Sequence, residues 1–130
     1  MIVVDNSALI AILEQEPEAD PFLSSIRDAP RSLASAVTVY ETGIVIGGGR
    51  DSAAEVMQFL DDLGIETVPF AEPYISRALE AYARYGKGID PEARLNLGDC
   101  ASYALAKTLD APLLFKGNDF AATDIKPCRW

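Results

Sequence analysis

Ile2-Val3-Val4-Asp5-Asn6-Ser7-Ala8-Leu9-Ile10-Ala11-Ile12-Leu13 begins with three β-branched residues, passes through one acid and becomes an apolar run at helical spacing. The β-branched triplet predicts a short buried strand. Ser7 is placed to cap a helix that runs to about Glu14, with Leu9, Ile12 and Leu13 on one face. Strand, acid, helix is the first half of a β-α-β unit, and the rest of the chain keeps the alternation.

Pro17 predicts the opening of a second helix toward Asp28. Leu33-Ala34-Ser35 reads as a strand. A helix follows over about Thr38 to Ile46 and is ended by Gly47-Gly48-Gly49. Ser52-Ala53-Ala54-Glu55 fits a capping box for a helix to about Leu63, closed by Gly64. Ile65 to Phe70 reads as a strand and Pro73 to Tyr85 as an amphipathic helix stopped by Gly86. Lys87 to Leu95 reads as a loop, and a helix from Asn96 or Gly98 reaches about Leu109. Pro112 to Phe115 is predicted as a strand, with a last short one from Ile125.

Strands that alternate with helices pair in parallel. The expected fold is therefore α/β, a three-layer α/β/α sandwich around a central, mostly parallel sheet. No repeat, low-complexity segment or linker interrupts the 130 residues, which are expected to form a single domain, 1–130. In such folds the sites lie at the carboxyl ends of the strands.

Composition narrows the chemistry. The chain has no histidine. That excludes Ser-His-Asp hydrolysis, histidine-based acid/base cleavage of RNA, HExxH peptidases and histidine-ligated metals. Cys100 and Cys128 lack the spacing of a disulfide framework or a zinc site, and Cys100 reads as a small buried hydrophobe. The formal charge of −9 repels phosphate backbones at long range and attracts divalent cations and basic partners. A nucleic-acid enzyme of this charge needs bound metal and a local basic patch. No apolar run approaches the roughly 20 residues of a membrane span. Met1 to Asp5 has no basic n-region. A soluble, cytoplasmic protein is expected.

About a quarter of the residues are charged, so three nearly uncharged stretches stand out. Residues 2–13 hold only Asp5, residues 32–49 only Glu41, and residues 95–106 only Asp99. An unpaired carboxylate in an apolar segment is costly to bury. Each has a structural reading as well. Asp5 could cap the helix that follows it, and Asp99 could serve the dipole of the helix that starts near Asn96. Glu41 has Val37, Thr38, Ile44 and Val45 as its helical neighbours, an unusual face for a surface glutamate. Asp119, in Lys116-Gly117-Asn118-Asp119-Phe120, could be a turn aspartate. In a parallel sheet all four positions reach one edge. Four acids there require a counter-charge, and hard oxygen ligands suit Mg²⁺ or Mn²⁺. Such ions activate water and neutralise charge on a phosphodiester.

The stretch Val3 to Leu13 resembles the opening of a VapC-type PIN domain. Leu95-Asn96-Leu97-Gly98-Asp99-Cys100 with Tyr103-Ala104-Leu105-Ala106, then Leu113 to Phe120 and Thr123-Asp124-Ile125, resemble its C-terminal half. The resemblance spans the chain. It implies a PIN-like fold and a metal-dependent endoribonuclease, the toxin of a VapBC toxin–antitoxin pair. On this resemblance Asp5, Glu41, Asp99 and Asp119 are the catalytic acids. Asp5 and Asp99 are the primary Mg²⁺ (or Mn²⁺) ligands, while Glu41 and Asp119 complete the shell or orient water. Asn118 and Ser7 support the site by hydrogen bonds. It further implies an RNA substrate, a homodimer, and a cognate VapB-type antitoxin whose C-terminal segment covers the site. Tyr40-Glu41-Thr42 carries little of the motif beyond the acid itself. The segment Ile89-Asp90-Pro91-Glu92 is less basic than in many relatives, which leaves Arg84, Lys87 and Arg94 as candidates for RNA contact.

Two other functions fit a small acidic α/β domain. A phosphoacceptor receiver domain would use Lys116 as its late-strand lysine. It lacks the acid pair at the first strand, where Asn6 follows Asp5, and a phosphorylatable Asp after Ile65–Phe70, where Ala71-Glu72 stands. A phosphatase with an Asp-x-Asp nucleophile is disfavoured by Ser7 in the second acid position. A PIN domain that binds without catalysis is the remaining alternative, and the complete set of four acids argues against it. Gly47–Gly49 is not a phosphate loop, because no Gly-Lys-Ser/Thr follows.

Overall fold

The computed structural model describes residues 1–130. The elements in chain order are β1 (Ile2–Val4), α1 (Asn6–Leu13), α2 (Ala19–Asp28), β2 (Ser32–Ser35), α3 (Ala36–Ile46), α4 (Ser52–Leu63), β3 (Ile65–Val68), α5 (Glu72–Tyr85), α6 (Leu97–Thr108) and β4 (Leu113–Leu114), with a short 3₁₀ turn at Phe120–Ala122. The sheet has the order β3-β2-β1-β4, and every pair is parallel. The register sets Val3 beside Leu33 on one side and Leu113 on the other.

The pleat sorts β1 into two cores, since successive side chains point to opposite faces. Val3, Leu33 and Leu113 pack with Tyr85, Leu95, Cys100, Tyr103 and Leu105, which places α5 and α6 on that face. Ile2, Val4, Ala34, Ile65 and Leu114 pack with Leu9, Phe22, Ile26, Val39, Val56 and Leu60, which places α1 to α4 on the other. The three-layer sandwich follows directly, and Cys100 is buried as expected. No helix is long and apolar enough to cross a membrane.

The order 3-2-1-4 differs from the five-stranded 2-1-3-4-5 sheet of receiver domains. Lys116 also faces elsewhere. Its ammonium bonds Glu16 at 2.9 Å and Glu18 at 3.0 Å in the turn between α1 and α2.

Three local expectations are corrected. Ser52 does not form a capping box. Asp51 precedes the helix in right-handed helical geometry without a side-chain cap, and the Ser52 hydroxyl instead accepts from the Gly49 N–H at 3.3 Å. A capping residue needs extended backbone, which the turn from Gly47 does not supply. α2 begins at Ala19 rather than Pro17, with Glu16 to Glu18 forming a turn. No strand forms from Ile125. A single parallel bridge joins Leu113 to Pro127, made by the Leu113 N–H to the Lys126 carbonyl at 2.9 Å and the Cys128 N–H to the Leu113 carbonyl at 2.8 Å, and it goes no further beside a β4 of only two residues.

Candidate active site

The strands are parallel and the helices run back, so the amino termini of α1, α3 and α6 meet the edge where β1, β2 and β4 end. Each terminus is capped by a side chain. Asp5 caps α1, Ser35 caps α3, and Asn96 caps α6. The four acids gather around these termini, where unsatisfied N–H groups favour negative charge.

Asp5 is 2% exposed and lies directly after β1. Its Oδ2 accepts from the Ser7 N–H at 3.0 Å and from the Ser7 hydroxyl at 2.7 Å. Its Oδ1 accepts from the Ser102 hydroxyl at 2.7 Å. The Ser7 hydroxyl in turn accepts from the Lys116 N–H at 3.0 Å, tying α1 to the segment after β4. Asp5 is therefore both the cap and a member of the acidic group.

Asp99 is half-buried in the first turn of α6. It forms a capping box with Asn96: Asn96 N–H donates to Asp99 Oδ2 at 3.0 Å, and Asp99 N–H donates to Asn96 Oδ1 at 2.8 Å. Burial pushes its carboxyl up to about 7, opposed by the Asn96 N–H and reinforced by the charges of Asp5, Asp119 and Glu41. Glu41, one and a half turns into α3, is also raised, by burial first and by Asp5 second. Its carboxylate lies against Gly98. A Cβ built on Gly98 would come within 1.9 Å of Glu41 Oε1, so only glycine admits this approach between α3 and α6. Asp119 is exposed in the turn after β4 and caps nothing.

No lysine or arginine pairs with any of the four acids. They share an electrostatic environment, yet no three of them stand close enough together to enclose a cation as they are. Mg²⁺ is commonly held by one or two carboxylates and several waters, so the all-oxygen donor set of Asp5 and Asp99 fits such an ion. Ser7 supports Asp5 as expected. The Asn118 side chain forms no hydrogen bond; only its carbonyl does, accepting from Ala121.

Four residues that hold the site were not singled out in the sequence. Ser102 and Thr38 are fully buried and bond each other at 3.0 Å. The Thr42 hydroxyl shares its one proton between Asn6 Oδ1 and the Thr38 carbonyl, both at 2.9 Å. Gly98 provides the space for Glu41. The available signal was spacing: Ser102 stands three residues after Asp99 and so shares its helix face.

The sequence matches the PIN domain family over residues 2–126. It is 40% identical over 129 residues to Ribonuclease VapC28 of Mycobacterium tuberculosis, covering 96% of each chain. The chain belongs to the VapC ribonucleases of the PIN-domain family. A VapC ribonuclease of Mycolicibacterium smegmatis is 41% identical over 126 residues, covering 95% of this chain and 97% of that one. The fold agrees with two solved structures of low identity. One is VapC20 of Mycobacterium tuberculosis, described as a sarcin-ricin loop cleaving toxin, with a TM-score of 0.73 at 16% identity, covering 99% of both chains. The other is a toxin–antitoxin complex from Klebsiella pneumoniae, with a TM-score of 0.71 at 17% identity, covering 95% of this chain and 93% of that one. This PIN domain thus shares its overall fold with both.

Proposed function

We propose that this VapC ribonuclease is the toxin of a VapBC-type pair and cleaves RNA internally, with residues 1–130 acting as one catalytic unit. One observation carries the site assignment. Four carboxylates with no basic partner lie around the sheet edge, and burial first, reinforced by the charges of Asp5, Asp119 and Glu41, pushes Asp99 up to about 7. Such a group is stable only with a proton or a cation. Asp5 and Asp99 would hold Mg²⁺ or Mn²⁺. When bound, the ion supplies an acidified water and neutralises charge on the phosphodiester.

The chain's own residues have separate tasks. Asp5 is held rigid by Ser7 and Ser102. Glu41, lying against Gly98, would orient the attacking water. Asp119 closes the group from its exposed turn. RNA contact falls to Lys87 and Arg94, exposed cations before α6 that no carboxylate engages, whereas Arg84 is drawn to Asp124 at 3.6 Å.

A VapB-type antitoxin with a basic C-terminal segment is the proposed partner, matching the acidic edge in charge. Self-association as a homodimer is supported by a groove of about 730 Å³ between α3, α5 and α6, where Ile75, Leu79, Tyr82 and Leu97 are exposed. The proposed compartment is the cytoplasm.

The test is cleavage of a structured RNA by the purified protein in Mn²⁺, in EDTA, and with Asp99→Asn in parallel. Cleavage that needs metal and is absent from the variant is the expected result. Equal rates in EDTA or in the variant would remove the site assignment.

A further inference from the structure

Asp5 has a limited number of free lone pairs. An ionised carboxylate offers about four acceptor directions. Oδ2 receives two donors, both from Ser7, while Oδ1 receives one, from Ser102. The oxygen with room left for a cation is therefore Oδ1, and Ser102 is its only protein partner. Ser102 lies on α6, one turn after Asp99, and is wholly buried. It gives its single proton to Asp5, so in the 3.0 Å bond between Thr38 and Ser102 the donor is Thr38. The result is a directed chain of hydroxyls, Thr38 to Ser102 to Asp5 Oδ1, running from α3 through α6 to the end of β1. Each donor polarises the next, and the chain fixes the oxygen from behind.

The geometry points to Ser102, backed by Thr38, as a positioning residue that aims Asp5 Oδ1 at the cation. This inference rests on the metal-dependent reading above. Outer partners that orient a ligand commonly change metal affinity by about 10–100-fold. A serine that merely satisfies a buried acceptor would affect folding and leave affinity alone.

The experiment is calorimetric titration of Mn²⁺ into the RNA-free protein, wild type against Ser102→Ala, Thr38→Val and the double variant, with melting temperatures in EDTA. Ser102→Ala is expected to weaken Mn²⁺ binding about tenfold. Thr38→Val, which keeps the side-chain shape, is expected to weaken it about two- to threefold. Because Thr38 acts through Ser102, the double variant should bind like Ser102→Ala, the non-additivity of coupled sites. With RNA at limiting Mn²⁺, kcat should fall while KM for RNA holds within about twofold. Wild-type Mn²⁺ affinity in Ser102→Ala would overturn the assignment, as would additive losses in the double variant. Should Ser102→Ala fail to fold, Thr38→Val decides alone, and unchanged affinity there overturns it. A wild type that binds Mn²⁺ but cleaves no RNA would defeat the nuclease reading and leave the positioning role standing. A wild type that binds no Mn²⁺ at millimolar concentration would defeat both.

Discussion

Asp5 and Asp119 stand at the same sheet edge under opposite conditions. Asp5 is buried, capped into α1 and held by three hydrogen bonds from two helices. Asp119 is exposed in a turn after Gly117, whose φ of +104° suits glycine, and its side chain has no hydrogen bond. The fold holds one wall of the site by hydrogen bonds and leaves the opposite wall on an exposed turn. A carboxylate held by three hydrogen bonds can set where a cation would reside, whereas an exposed, unbonded one is readily replaced by water.

The contrast is broken most severely from the fixed side. Asp5→Asn should reduce RNA cleavage by more than about 100-fold, beyond the range of an outer partner. The melting temperature should shift by about 5 °C or less, since the change removes about one hydrogen bond. Gly98→Ala comes next. Its methyl would occupy the place of the Glu41 carboxylate, so cleavage should fall by at least about tenfold. Stability should hold or rise by up to about 1 kcal/mol, the helix preference of alanine over glycine. Rate assays beside thermal melts would expose that split, and an active, well-folded Gly98→Ala protein would contradict the close approach. Asp119→Asn should lower the rate about tenfold or less, because a free turn can be replaced by water. A loss equal to that of Asp5→Asn would erase the distinction between the two walls.

The gentlest probe is pH. Asp99 titrates near 7 in the folded chain against an ordinary value of 3.8. Between about pH 4 and pH 7 the folded protein therefore binds more protons than the unfolded one, so metal-free stability should fall as pH rises through that window and level off above it. Glu41 is displaced in the same direction. Glu18, Glu66, Asp90 and Asp124 are lowered and act oppositely, losing their contribution only as the solution becomes more acidic than an ordinary carboxylate. Subtracting the Asp99→Asn curve from the wild type isolates the term. Saturating Mn²⁺ should flatten it, since a cation favours the ionised form.

Much of this architecture is legible in the chain because its signals are local. Ile2-Val3-Val4 specifies a strand, Gly64 takes the left-handed conformation that stops α4, and Asn96 with Asp99 caps α6. The lone acids are legible because charge is so rare around them. What stays hidden depends on distant partners. Ser102 in Cys100-Ala101-Ser102-Tyr103 resembles ordinary small helix filler until a carboxylate 97 residues away closes on it. Glu41 shows an unusual neighbourhood, but the glycine that receives it belongs to another helix. The missing strand at Ile125 reflects the shortness of its partner β4, which offers a single bridge, and Ser52 lost its cap to the backbone of the preceding turn. Asp5 and Asp99 each cap a helix as read and also belong to the acidic group at the sheet edge.

The pairing of β1 with β4 has a consequence for a toxin still being made. Asp5 leaves the ribosome about a hundred residues before Ser102 and the Lys116 N–H that complete its setting. At about 5–20 residues per second, roughly 5–20 s of synthesis separate them. A nascent chain carries Asp5 throughout that interval without the neighbours that fix it, so this corner of the sheet edge is assembled only after α6 and the segment following β4 have emerged.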